Sequence, residues 1–153
     1  KNWVTFYQRI QMKNNYNIVI VVSEFNKIVT DQLTDGAKRA FSENSNGNLS
    51  IITVPGAFEI PSTVKKVAEK MSPDAIVTLG AVIKGETKHF DFISQECTRA
   101  IQNLTLEFEM PIIFGILTTD NVDQALERSG KKDKGHEVMV SAFKMISIFE
   151  DIK

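Results

Sequence analysis

Four short stretches hold the residues best equipped for chemistry. The richest is GAVIKGETKH at 80–89. His89 closes it, with an imidazole, the side chain type most often used for proton transfer. Gly80 and Gly85 let the backbone turn and approach a ligand closely. Beside a helix start, free N–H groups at Glu86 and Thr87 suit a phosphate. The glycine spacing is neither that of a Walker loop nor that of a dinucleotide fingerprint. Read alone, the stretch fits a surface loop with a capping histidine equally well.

The other three stretches carry an aromatic ring, a carboxylate and a guanidinium. SEFN at 23–26 leaves an apolar run with Phe25, a ring that can stack on a flat ligand or simply cover a sheet edge. PGAFE at 55–59 sets small residues beside Glu59 at a helix start. Backbone N–H groups there can meet a ligand while Glu59 accepts hydroxyl hydrogen bonds; the plainer reading makes Glu59 a helix-dipole partner. Arg128, in ERSG at 127–130, falls at a helix C-terminus, where it complements the dipole. Arginine is also the side chain best matched to phosphate. His136 has no acidic or thiol cluster nearby in sequence and reads as a surface residue. No metal-ligand set and no Ser–His–Asp pattern can be assembled.

These stretches need a scaffold, and hydrophobic periodicity supplies one. Residues 17–22 (NIVIVV) read as a strand buried on both faces. A helix follows with Val29, Leu33, Ala37, Ala40 and Phe41 on one face, ending at the polar break 44–48. Residues 49–54 are a second strand, and a helix from about Glu59 turns Val64, Val67, Ala68 and Met71 inward. Pro61 is tolerated in its first turn. A third strand spans 75–79, followed by a loop over 80–88. The longest helix spans 89–109, with Ile93, Cys97, Ile101, Leu104 and Phe108 on one face. Strand four covers 112–117, and Thr118-Thr119-Asp120 caps a short helix over 122–129. A charged link at 130–135 leads to a last helix reaching about 151, with an apolar stripe of Val138, Ala142, Met145, Ile146 and Phe149. The order βαβαβαβαα predicts an α/β fold: a parallel sheet with right-handed crossovers and helices on both faces. Ligands of such sheets bind beyond the carboxyl ends of the strands. Residues 23–26, 55–59, 80–89 and 118–120 all fall there.

Composition excludes several classes. The chain has 153 residues, the size of one domain, with a net charge of −1. No basic stripe marks a nucleic-acid binder. The longest apolar run is far below the ~20 residues of a membrane span, and no signal-peptide pattern opens the chain. The one cysteine, Cys97, excludes an internal disulfide and reads as a packed thiol. A lone free thiol suits a reducing cytosol, so a cytoplasmic location is expected. Residues 1–16 lie outside the βα pattern. Their Trp3, Val4, Phe6 and Tyr7 describe either an arm that adds a strand to a neighbour or a frayed terminus. The domain proper is 17–153.

The motifs PGAFEIP at 55–61, GAVIKGETKH at 80–89, PIIFGILTT at 111–119 and QALERSG at 124–130 resemble those of the lumazine synthase family. Each is weak alone, but four in family order and register are specific, and the likeness covers about 17–148. The resemblance implies a flavodoxin-like three-layer sandwich with a four-stranded parallel sheet. It implies condensation of 5-amino-6-(D-ribitylamino)uracil with 3,4-dihydroxy-2-butanone 4-phosphate. The product would be 6,7-dimethyl-8-ribityllumazine, the immediate riboflavin precursor. Neither metal nor organic cofactor is implied. The partners implied are small-molecule substrates and copies of the chain, as a pentamer or an icosahedral assembly of pentamers, with sites between adjacent subunits.

Residue by residue, the resemblance implies that Phe25 stacks on the pyrimidine and that Ala57, Phe58 and Glu59 hold the ribityl chain. Ala81, Val82 and Ile83 would present backbone groups to the uracil. Glu86 and Thr87 would bind phosphate through main-chain N–H and the Thr hydroxyl, with the Glu86 carboxylate turned away. His89 would shuttle protons. Phe114 and Arg128 would come from the neighbouring subunit, Arg128 pairing with phosphate bidentately. Asn26 and Lys134 are further candidates. Three departures stand out. Lys84 replaces a common Arg, Glu24 precedes the stacking ring, and the 130–135 link is shorter than usual, where contacts between pentamers are expected. Two other readings stay open: an archaeal-type riboflavin synthase of the same fold, and a non-catalytic shell or flavin-binding protein.

Overall fold

A computed structural model describes residues 14–152. The chain begins its regular structure with β1 (Ile18–Ser23), β-branched and buried along its whole length. The other strands are β2 (Leu49–Val54), β3 (Ala75–Ile83) and β4 (Ile112–Thr119). All pair in parallel, in the order β2-β1-β3-β4. The helices are α1 (Lys27–Asn44), α2 (Ile60–Lys70), α3 (His89–Glu107), α4 (Val122–Ser129) and α5 (Lys134–Asp151). This is the flavodoxin-like three-layer arrangement. The chain moves outward from β1 to β2, then jumps back past β1 to β3. Right-handed crossovers therefore put α1 on one face and α2 and α3 on the other.

Alternation along the strands builds two cores. Ile18, Ile20, Val22, Val77 and Leu79 pack against α1, α4 and α5. Val19, Val21, Ile76 and Ile116 pack against α2 and α3. Burying each such side chain contributes about 1.5–3 kcal/mol, so a one-residue register slip would exchange the two sets and is strongly disfavoured. On α5, Met139 and Phe143 are buried with Val138, Ala142 and Ile146, whereas the expected Phe149 is exposed. Met71 is likewise exposed, because α2 ends one residue before it.

Helices α1 and α5 pack closely at Gly135. A Cβ there would run into the Leu33 carbonyl. Beside this crossing, Arg39 Nη2 donates to Asp133 Oδ1 at 2.8 Å. His136 Nε2 lies 2.9 Å from Glu43 Oε2. His136 therefore does have an acidic neighbour, one 93 residues away in sequence that only the helix pairing brings near.

Several boundaries differ from the sequence expectation. β3 continues through Gly80 to Ile83, pairing with β4 from Ile76↔Ile112 to Ile83↔Thr119, so the loop shrinks to 84–88. A 3-10 turn (Ala57–Glu59) precedes α2. The cap of α4 is Asn121, whose side chain accepts the Gln124 N–H at 2.9 Å, rather than 118–120. The charged link ends early, because α5 begins at Lys134. Residues 1–13 of the expected N-terminal arm lie outside the described residues. Its last part is tied to the chain's own domain: Ser45 Oγ donates to Asn14 O at 2.7 Å and Tyr16 OH to Glu150 Oε1 at 2.7 Å.

Candidate active site

The strand order reverses between β1 and β3, and a cavity opens beyond their carboxyl ends, where such sheets bind ligands. It measures about 640 Å³, within the ~300–1,000 Å³ of small-molecule sites. Of the residues singled out from sequence, Phe25, Asn26, Ala57, Phe58, Glu59, Ala81, Val82, Ile83, Thr87 and His89 line it.

Backbone bonds between loops hold this wall together. Glu24 N donates to Val54 O at 2.8 Å and Phe25 N to Pro55 O at 3.1 Å, joining the β1 and β2 exits. Asn26 adopts the left-handed conformation at φ 63°, which asparagine tolerates better than most residues. Its Nδ2 donates to Ala81 O at 2.9 Å, tying the β1 exit to β3. Phe25 and Phe58 stay 72% and 61% exposed, so both rings are free to stack. Glu59 stands at the helix start, as its plainer sequence reading has it. Its Oε2 accepts the Gly56 N–H at 2.9 Å, and Oε1 has no partner among the described residues.

Behind the 3-10 turn, Cys97 Sγ donates to Ala57 O at 3.3 Å. Burial pushes this thiol from its ordinary 9.0 up to about 11, which favours the neutral form that makes the bond. The cysteine is thus the packed thiol expected. At the opposite wall, Thr87 Oγ1 accepts the His89 N–H at 3.3 Å, leaving its own hydroxyl hydrogen to donate. The His89 ring is exposed at the mouth with no partner among the described residues.

Phe90 and Ile93 also line the cavity. Phe90 was missed in sequence and Ile93 read only as core. With His89 facing the cavity, Ile93 at i+4 on α3 follows it there, which is the signal that was available for Ile93. Glu86, Phe114, Arg128 and Lys134 do not line it. Glu86 is exposed on the loop. Phe114 is 39% exposed on β4, the sheet edge away from β2. Arg128 Nη1 reaches Thr118 O at 3.4 Å. Lys134 Nζ pairs with Glu137 in its own helix at 2.9 Å. The cavity therefore has aromatic rings, a carboxylate and an imidazole, and no Lys or Arg among its lining residues. No group of three His, Cys, Asp or Glu among the described residues could hold a metal.

Comparison with known proteins is consistent across nearly the whole chain. The family model for 6,7-dimethyl-8-ribityllumazine synthase matches residues 15–150. A 6,7-dimethyl-8-ribityllumazine synthase of Nautilia profundicola is 43% identical over 152 residues, covering 97% of this chain and 99% of the relative. One of Campylobacter jejuni is 43% identical over 148 residues, covering 94% and 96%. One of Helicobacter acinonychis is 40% identical over 149 residues, covering 95% and 96%. Fold, cavity and relatives agree: the chain belongs to the 6,7-dimethyl-8-ribityllumazine synthase family.

Proposed function

We propose that the protein condenses 5-amino-6-(D-ribitylamino)uracil with 3,4-dihydroxy-2-butanone 4-phosphate. The products are 6,7-dimethyl-8-ribityllumazine, inorganic phosphate and water, in the penultimate step of riboflavin biosynthesis. One observation carries this reading: a single cavity at the β1/β3 switch holds Phe25, Phe58, Glu59, Thr87 and His89 together. Phe25 stacks on the pyrimidine. Glu59 accepts ribityl hydroxyls through Oε1, backed by Ala57 and Phe58. Ala81, Val82 and Ile83 turn backbone groups to the uracil. The Glu86 and Thr87 N–H groups and the Thr87 hydroxyl take the phosphate at the start of α3. His89 moves protons as the imine forms and phosphate leaves. Much of the rate comes from alignment of the two substrates, and no cofactor is needed.

A departing phosphate wants a cation, and this chain's own cavity lacks one among its lining residues. Arg128 and Phe114 stand elsewhere, exposed and free of the cavity. We therefore place them in the neighbouring subunit's site, in a cytoplasmic homo-oligomer that is a pentamer or an assembly of pentamers. Purified protein mixed with both substrates should accelerate lumazine formation, followed by absorbance. A rate no higher than the uncatalysed background would sink the assignment. Lumazine supplied alone should give no riboflavin. Light scattering decides between a pentamer and a shell.

A further inference from the structure

Thr78 lies midway along β3 with no exposed surface, a hydroxyl in the middle of a hydrophobic sheet. A buried hydroxyl is costly unless bonded, and this one bonds in an unusual place. Its Oγ1 donates to Ile113 O at 2.8 Å and accepts the Gly115 N–H at 3.3 Å. Those groups flank Phe114, the residue directly opposite Thr78 in the ladder. The shorter bond is the firmer hold; the other is long for N–H···O.

Gly115 strengthens the grip. A Cβ there would run into the Thr78 carbonyl and come within 2.9 Å of Leu79 Cδ2. β4 is thus pressed against β3 at this point. Its other side is the edge of the four-stranded sheet. One side chain therefore secures the backbone on both sides of an exposed aromatic that takes no part in its own subunit's cavity.

We propose that Thr78 is a positioning residue: its hydroxyl fixes the direction in which Phe114 leaves β4, and so the seat of the pyrimidine in the neighbouring site. This rests on the reading that Phe114 completes that site. A ring tilted away from the pyrimidine weakens ground-state stacking, so the effect belongs in KM for the ribitylaminouracil and leaves kcat nearly unchanged.

The test is a double-mutant cycle in the assembled enzyme, with both substrates varied. Thr78→Val keeps the shape and removes the hydroxyl. It should raise KM for the ribitylaminouracil about two- to tenfold, with KM for the butanone phosphate unmoved. Thr78→Ser should restore the parent value. On a Phe114→Ala background, Thr78→Val should add nothing to KM. Thr78→Ala carries the same expectations and stands in if the valine variant does not assemble. The proposal is overturned if the hydroxyl-free variants keep the parent KM and lose only thermal stability. It is also overturned if Ser is as impaired as Val, or if the two effects are additive. If Phe114→Ala itself leaves KM unchanged, the reading of Phe114 falls, and that outcome is distinct from failure of Thr78 alone.

Discussion

The cavity wall and the β4 edge are built in opposite ways. In the wall, backbone and side-chain bonds tie the exits of β1, β2 and β3 to one another and to α3: Phe25 to Pro55, Asn26 to Ala81, Cys97 to Ala57. Its shape is complete within one chain. Along β4 and α4, Phe114 and Arg128 stand out from the surface, and Arg128 makes a single long bond to Thr118. The wall has shape and an imidazole, with no Lys or Arg among its lining residues. The edge has the cation and a ring without a cavity. Preorganised backbone is well suited to orienting a flat, uncharged pyrimidine. A flexible arginine on a second surface is suited to closing on a phosphate once it is bound.

The sharpest way to break this contrast is to truncate one key side chain on each side in turn. Arg128→Ala should lower kcat/KM by about 150-fold, the upper end for a lost charge-assisted bond. His89→Ala should cost less, because amines and ketones condense with little help and acid–base assistance belongs at its lower limit. Equal or reversed losses would put the main catalytic contribution in the wall. The preformed wall has its own signature in Cys97. A thiol raised to about 11 should react with an alkylating reagent at pH 8 about a hundredfold more slowly than one at its ordinary value. The stability that goes with the neutral thiol is present below pH 9 and is lost as pH rises through about 11. Fast alkylation of the folded protein would mean that the Cys97–Ala57 brace opens readily.

Glu59→Gln sharpens the wall's part further. Glutamine keeps an acceptor for the Gly56 N–H and removes the charge. KM for the ribitylaminouracil should rise about fivefold, the difference between a charge-assisted and a neutral hydrogen bond, with an unchanged melting temperature. An unchanged KM would leave Glu59 as a helix-start residue only. The smallest effect on turnover belongs to the α1–α5 seam, which serves neither surface. Gly135→Ala should cost about 1–3 kcal/mol of stability by overpacking while leaving kcat per folded subunit intact. A large loss of kcat would mean that the seam is coupled to the site.

Local pattern made the parallel α/β order legible, because continuous apolar runs alternate with helical stripes. It also placed the wall residues, which follow strand ends wherever the strands sit in the sheet. What stayed hidden depended on partners remote in sequence. Gly80 to Ile83 read as a loop because glycine and a change of pattern follow Leu79. They are strand because β4 runs beside them and Gly80 fits against Ser23 and Ile60. His136 read as isolated because Glu43 approaches only through the α1–α5 pairing. Phe90 escaped notice because which face of α3 meets the cavity is set by tertiary packing. The expectation that Phe114 and Arg128 serve a neighbouring subunit's site came from family likeness alone; nothing in their local pattern carries it.

The claim that one catalytic site is assembled from two chains is tested most directly by complementation. One variant loses the wall (Phe25→Ala with Glu59→Ala) and the other loses the edge (Arg128→Ala). Each alone should be nearly inactive. Co-expressed in equal amounts and purified as mixed assemblies, they should form intact interfaces in about a quarter of cases by random pairing of adjacent subunits. Activity should recover to about that fraction of the parent. Mixed assemblies no more active than the sum of the two variants would contradict a shared site and place the whole reaction within one subunit.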